Sequence, residues 1–249
     1  MSVSVVVPCK NEAGNILDLL EEVVRACSGL GTFEIIVVDD GSTDETPVLL
    51  KGAMYVVPGL RVLRHDRPGG QSAAIHSGVS AARYPLICTL DADGQNPPDE
   101  IPALVAAWHQ NEAMFLGLVA GQRVKRKDSF SRRLASRFAN RLRALLLHDR
   151  TDDSGCGLKA FRRSAFLDLP YFDHMHRYLP ALFLHAGWRV VHVQASHRER
   201  QSGRSHYSNF QRGLVGAIDL VGVSWLLRRR KKVAAEEVEG PGRIRTLAS

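Results

Sequence analysis

The feature that most constrains this chain is a switch of hydrophobic period along its first half. Val3–Val7 is a Val-rich run, Phe33–Val38 is another, and Leu86–Leu90 a further one. Near-continuous apolar runs of this length bury both faces, as strands do inside a parallel sheet. Between them the period changes to that of a helix, and Ile16, Leu19, Leu20, Val23 and Val24 form one stripe within Asn15–Cys27,. A second helix is expected near Ser42–Asp44, whose side chains can cap it, a small-residue helix over Gln71–Ala82, and another over Pro98–Trp108,. Arg61–Leu63 and Leu116–Ala120 read as further strands, and Pro8 is expected to stop the first one,. Alternating strands and helices predict an α/β fold with a mostly parallel central sheet flanked by helices.

The second half is less regular. Ser129–Leu147 reads as a long helix with a stripe of Leu134, Phe138, Leu142, Leu145 and Leu146,. Gly157–Phe161 and Trp188–Val193 are strand-like, and Asp173–Ala186 is helix-like. The tail beyond Lys232 is polar, contains Gly and Pro, and is expected to be mobile,. With 249 residues the chain can bury one full-sized core,.

Charge is distributed unevenly. Lys and Arg number 33 against 26 Asp and Glu, a formal charge of +7 that favours anionic partners,. Residues 1–50 are acidic, whereas residues 121–150 carry a basic stripe that includes Arg123, Arg132, Arg137 and Arg141. An acidic half beside a basic one suggests a metal-using site next to an anion-binding site. Cys9, Cys27, Cys88 and Cys156 have no CxxC spacing and read as reduced thiols,. The N-terminus has no signal-peptide pattern, and no segment reaches the length of a transmembrane helix,. A cytoplasmic location is therefore expected.

In an open parallel sheet, ligands sit beyond the carboxyl ends of the strands. Three polar clusters fall there: Pro8–Glu12, Asp39–Asp44 and Asp91–Gln95. Asp91 and Asp93, one residue apart after a buried strand, suit a hard divalent cation, with Gln95 as a further oxygen donor,. Mg²⁺ or Mn²⁺ fits such ligands better than zinc. Pro68–Ser72 precedes a helix and offers backbone N–H groups to an anion, although a plain turn explains it equally well,. Arg132, Ser136 and Asn140 recur at four-residue spacing and share one helix face,. A second basic, glycine-containing loop spans His197–Ser205. His174 and His176 are badly spaced for two metal ligands from one helix face, and His76 reads as packing. No GxGxxG or Walker pattern is present,.

Together these motifs resemble the inverting family 2 glycosyltransferases of the GT-A fold, in particular the polyprenyl-phosphate sugar synthases such as dolichyl-phosphate mannosyltransferase. The matching stretches are VVVPCKNEAGNI from Val5, VVDDGSTDET from Val37, GGQSAAIHSG from Gly69 and LDADGQNPPDEIP from Leu90. Later matches are GQR ending at Arg123, DSGCGLKAFRR from Asp153, HRYLP from His176 and HRERQSGRS from His197. The resemblance implies one domain over residues 1–227, with a nucleotide-sugar half (1–122), an acceptor half (123–227) ending in an apolar helix, and a basic tail (228–249).

The resemblance also implies roles. Pro8, Lys10, Glu12, Val38, Asp39 and Asp40 would line the nucleotide pocket, with Gln71 and Ala92 beside the donor. Asp91, Asp93 and Gln95 would bind Mg²⁺ or Mn²⁺ and, through it, the donor diphosphate. Arg123, Arg132, Ser136, Arg198, Arg200 and Ser205 would serve the acceptor phosphate, and Asp153 the sugar or acceptor side. His206 stands where many relatives have Lys. Relatives often add two transmembrane helices. Here Gly213–Leu227 is followed by Arg228–Lys232, which suits either a helix lying on an anionic cytoplasmic leaflet or a packed terminal helix with a basic end,.

The implied reaction is metal-dependent inverting transfer of a hexose-type sugar from a GDP- or UDP-linked donor to a polyprenyl phosphate. An alternative is transfer to a saccharide hydroxyl, with Asp153 or Asp152 as base. A non-enzymatic basic module is a third reading, and the acidic first half argues against nucleic acid as its partner. Self-association is compatible with the sequence.

Overall fold

The computed structural model describes residues 2–111, 115–123, 143, 146–147, 149, 151, 155–196, 198, 209–229, 233, 236–239 and 243–246. Seven strands form the main sheet: β1 (Ser2–Cys9), β2 (Thr32–Asp39), β3 (Leu60–Arg64), β4 (Leu86–Thr89), β5 (Leu116–Arg123), β6 (Lys159–Arg162) and β7 (Arg189–Ala195). Their order is β3-β2-β1-β4-β6-β5-β7. Every pairing is parallel except those of β6, which runs antiparallel to both β4 and β5. The strand order turns back at β1, between β2 and β4, and opens a crevice at the carboxyl edge there,.

Helices α1 (Ile16–Cys27), α2 (Thr46–Ala53), α3 (Gln71–Ala81) and α4 (Ile101–Asn111) connect or flank the parallel strands. The α1 stripe buries Ile16, Leu19, Leu20 and Val23 against one face of the sheet, at about 1.5–3 kcal/mol for each large side chain,. On the other face, α3 lies so close to the sheet that a Cβ on Gly78 would sit 2.4 Å from Val6 Cγ1. Small residues in α3 thus bring its N-terminus close to the strand ends. His76, on the same helix, packs against the rings of Phe166 and Tyr171, as a packing residue should.

Several boundaries differ from those read in the sequence. Pro8 does not stop β1 but lies inside it, opposite Val38. Val6 directs its carbonyl to Leu90 N–H on the β4 side, and Pro8 faces that side beyond Thr89, where β4 has ended, so its missing N–H breaks no ladder bond,. The second helix begins at Thr46, because Asp44 spends its oxygens on Thr46 N–H and Ala13 N–H, and Ser42 accepts from Asn11 N–H. The Asp173–Ala186 segment divides into a 3₁₀ turn (Met175–Arg177) and α6 (Leu179–His185), with α5 (Arg163–Leu167) preceding them. Of the long helix expected over Ser129–Leu147, only residues 143, 146 and 147 are described, all helical. No disulfide joins the cysteines, which are all buried.

The C-terminal helix α7 (Asn209–Arg228) packs Val223 and Leu227 into the core shared with α3, α5 and α6. No described helix is long and apolar enough to cross a membrane. Within the tail, β8 (Glu236–Glu239) and β9 (Arg243–Thr246) pair antiparallel, local order that its Gly and Pro content did not announce.

Candidate active site

Two cavities meet at the carboxyl edge of β1 and β4. The larger, about 900 Å³, is lined by Pro8–Glu12, Asp40, Pro68–Gln71, Ala74, Asp91–Asp93, Asp173, His174, His176 and Arg177. The smaller, about 390 Å³, lies on the far side of Asp91 against Gly155–Gly157, Lys159 and Leu179. Gln71, Asp91, His176 and Arg177 line both. The three polar clusters read from the sequence therefore converge on one rim.

The paired aspartates after β2 have separate tasks. Asp40 accepts N–H bonds from Gly69 (2.7 Å) and Gly70 (2.8 Å) and contacts His65 Nδ1 at 2.7 Å. Burial disfavours its charge, but the Gly69, His65 and Gly70 hydrogen bonds outweigh burial and hold its carboxyl below the usual range,. Gly70 has φ +87°, a backbone state that glycine adopts without strain, so the turn can present successive N–H groups to this carboxylate,. Asp39 is buried, accepts Ser42 N–H at 2.9 Å and lies 3.3 Å from Arg64 Nε. Asp39 lines neither cavity, and Val38 is wholly buried in the core.

Asp91 is held from both sides of its carboxylate. One oxygen accepts Gln71 Nε2–H at 2.6 Å and the other Asn96 Nδ2–H at 3.3 Å. Burial and then the nearby charge of Asp93 push its pKa up to about 6, against the opposing charges of Lys159 and Arg123,. Gly157 presses directly on it, since a Cβ there would stand 2.3–2.5 Å from the carboxylate atoms. The loop bearing Gly157 is pinned by Thr89 Oγ1–H donating to its carbonyl at 2.8 Å, and Lys159 Nζ donates to the Cys156 carbonyl.

This donor set fits a hard divalent cation. Two carboxylates whose mutual repulsion raises a pKa are a site that a cation relieves, and each Asp91 oxygen keeps a further lone pair,. No group of three His, Cys, Asp or Glu side chains able to hold a metal occurs among the described residues. Among the described residues, its remaining ligands would therefore be neutral oxygens, with water or the substrate itself beside them. Gln95 holds the loop through its backbone, donating N–H to Asp93 Oδ1 at 3.1 Å and accepting Arg198 N–H at 2.9 Å, and it lines neither cavity.

The basic residues divide. Arg123, the last residue of β5, lies near enough to Asp91 for its charge to be felt. Arg198 is held by Glu22 at 2.7 and 3.0 Å and lies 3.9 Å from Asp99. Arg132, Ser136, Asp153, Arg200 and Ser205 lie outside the described residues. The sequence reading missed Asn96, Gly157, Lys159 and the His174–Arg177 turn as parts of the site. The HRYLP stretch was the available signal for that turn, but it carried no chemistry by itself.

The family model for glycosyl transferase family 2 matches residues 4–169, from within β1 through α5, which includes the crevice lining except its Asp173–Leu179 part. The chain belongs to glycosyl transferase family 2. It is 36% identical over 222 residues, 88% of the chain, to an undecaprenyl-phosphate 4-deoxy-4-formamido-L-arabinose transferase from Edwardsiella ictaluri. It is 34% identical over 93% of its length to a dodecaprenyl-phosphate galacturonate synthase from Rhizobium johnstonii. The chain spans 65% and 69% of those relatives' lengths. Glucosyl-3-phosphoglycerate synthase from Mycobacterium tuberculosis, solved with Mn²⁺, UDP and glucosyl-3-phosphoglycerate, superposes at a TM-score of 0.67 with 18% identity, covering 99% of this chain and 87% of that one. The expected GT-A fold is thereby borne out.

Proposed function

We propose that this glycosyltransferase moves a sugar, with inversion, from a nucleotide-diphosphate sugar to a polyprenyl phosphate. The observation that carries the reading is the junction at Asp91, where a large cleft of nucleotide-binding dimensions opens into a second cavity walled by Lys159 and Arg177. The nucleoside diphosphate would lie along Pro8–Glu12 and Gly69–Gln71, with Asp40 setting the Gly69–Gly70 turn. Asp91 and Asp93 would hold Mg²⁺ or Mn²⁺, and the cation would supply charge neutralisation for the leaving diphosphate; Gln95, a further oxygen donor by the family resemblance, lines neither cavity. The relatives that act on undecaprenyl and dodecaprenyl phosphate support the acceptor class.

A phosphate acceptor is already anionic near neutral pH, since its second pKa is about 6. It requires no strong base, only cations that hold it beside another anion. Lys159, Arg123 and Arg177 supply positive charge at this junction, and Arg132, Ser136, Arg198, Arg200 and Ser205 are assigned to the acceptor by the family resemblance. Asp153 is placed on the sugar or acceptor side on the same ground.

The outer face of α7 supports peripheral association with an anionic membrane. Ile218, Val221 and Trp225 lie on one side of that helix and are 65%, 66% and 61% exposed. Arg229 stacks over Trp225 at 5.8 Å, and Arg228 is exposed beside it. An apolar stripe ending in cations suits a helix that lies at a lipid interface.

The test is a product assay with undecaprenyl phosphate in detergent, Mg²⁺ or Mn²⁺, and a panel of UDP- and GDP-sugars, read by mass spectrometry of the lipid. A new lipid-phosphate sugar, abolished in Asp93→Ala, is expected. Full turnover by Asp93→Ala would remove the metal role, and nucleotide-sugar binding without lipid product would move the acceptor to a saccharide.

A further inference from the structure

The His176–Arg177 pair sits at the junction of the two cavities. The surroundings of His176 fix which of its ring nitrogens carries a proton. His176 Nδ1 lies 2.8 Å from Ser72 Oγ, and the backbone N–H of His176 reaches the same oxygen at 3.3 Å. Ser72 is 1% exposed, so its hydroxyl proton needs a protein acceptor,. Among the described residues the acceptor it has is His176 Nδ1. The hydroxyl therefore accepts from the His176 backbone and donates to Nδ1, which leaves Nδ1 a pure acceptor and puts the ring proton on Nε2. Burial, followed by the charges of Lys159, Arg177 and His174, depresses the imidazole pKa well below its ordinary value, so the ring stays neutral,. Nε2–H has no partner among the described residues, and the ring lines both cavities.

We propose that His176 is a sugar-recognition residue whose Nε2–H donates a hydrogen bond to an oxygen substituent of the transferred sugar. This rests on the reading that the donor is a nucleotide-diphosphate sugar. With the diphosphate at Asp91 and Asp93, the sugar lies one step beyond, where the residues common to both cavities surround it. A neutral donor there discriminates by geometry, because it rewards a correctly placed oxygen without attracting the diphosphate as a cation would. Ser72 is the positioning residue behind it, and it lies in the first turn of α3, whose start at Gln71 also binds Asp91. One short segment thus sets both the metal-side carboxylate and the sugar-side donor.

The experiment is calorimetric binding to the full chain with Mn²⁺, using UDP and GDP alone and then their glucose, galacturonate and mannose conjugates. The readout is the ratio of nucleotide-sugar to nucleoside-diphosphate affinity. His176→Phe is expected to worsen that ratio about five- to tenfold, the loss of one hydrogen bond, while UDP or GDP affinity is unchanged. His176→Gln, which can place an N–H near the same point, is expected to recover most of the ratio. Ser72→Ala is expected to shift it in the direction of His176→Phe. An unchanged ratio in His176→Phe, or equal losses for diphosphate and sugar conjugate, would overturn the proposal while leaving the donor class intact. Failure of the unmodified chain to bind any nucleotide sugar would instead overturn the functional reading and this proposal with it.

Discussion

Gly157→Ala provides a direct test of whether Asp91 is held in place by packing. The new methyl carbon would arrive 2.3 Å from Asp91 Oδ2, whereas an ordinary van der Waals contact is 3.4 Å or more. One of the two must move by about 1.1 Å. The Gly157 backbone is anchored by Thr89, so the carboxylate is the part that yields, against its bonds from Gln71 and Asn96. A displacement of about 1 Å at a reacting centre costs about 100-fold in rate, or about 2.7 kcal/mol of transition-state stabilisation. Turnover in the lipid-product assay should fall by that factor, and Mn²⁺ affinity should fall with it. Metal-free UDP or GDP binding and the cooperative thermal transition should be preserved, because the perturbed side chain lies at a cleft edge rather than in either core cluster. Wild-type turnover and wild-type Mn²⁺ affinity in Gly157→Ala would refute the idea that close packing by this glycine sets the metal-side carboxylate.

Two further outcomes follow from other parts of the chain. Glu34 is buried, where burial opposes its charge, but bonds from Ser4, Arg83 N–H and Arg61 hold its carboxyl below the usual range. It therefore adds stability above the unfolded pKa near 4.5, and that contribution is lost as pH falls through the lower folded value,. Glu34→Gln should cost about 2 kcal/mol in urea unfolding at pH 7, and the difference from the unmodified chain should shrink below pH 4.5,. Trp225→Glu should weaken co-sedimentation with anionic vesicles about tenfold while the thermal transition is retained, and undiminished vesicle binding would remove α7 from the membrane contact.

The sequence carried the fold where period and burial coincide. Val3–Val7 and Phe33–Val38 are continuous because β1 and β2 are covered on both faces, and the α1 stripe is regular because it meets one face alone. It carried less of β6, since strand direction leaves no mark on a four-residue run with no alternation. That antiparallel strand is nevertheless what brings the Gly155–Lys159 loop back against β4 and Asp91, and so creates the smaller cavity. The DxD pair was legible from its position, because it directly follows a buried strand at the carboxyl edge where ligands sit. The division of labour between Asp39 and Asp40 was not, because it depends on the Gly69–Gly70 turn approaching from residues far along the chain.

The same reasoning explains why several of the missed members of the site are neutral or small. Gly157, Asn96 and His176 act by proximity: one by having no Cβ, one by donating to Asp91 Oδ2, one by the tautomer that Ser72 imposes. Charge clusters announce themselves in a sequence because burying them unpaired is expensive. A glycine or a neutral imidazole carries no such cost and gains meaning only from its neighbours. The crevice thus has two kinds of determinant. Under the proposed function, the acidic loops at the strand ends would select a metal and a diphosphate, and they are written in short local motifs. The wall opposite them, from Gly155 to Lys159 and from His174 to Arg177, would select what is transferred and to what, and is assembled by packing of the second half onto the first. Substitutions in the first group should abolish turnover with every donor. Substitutions in the second should redistribute turnover among sugars and acceptors.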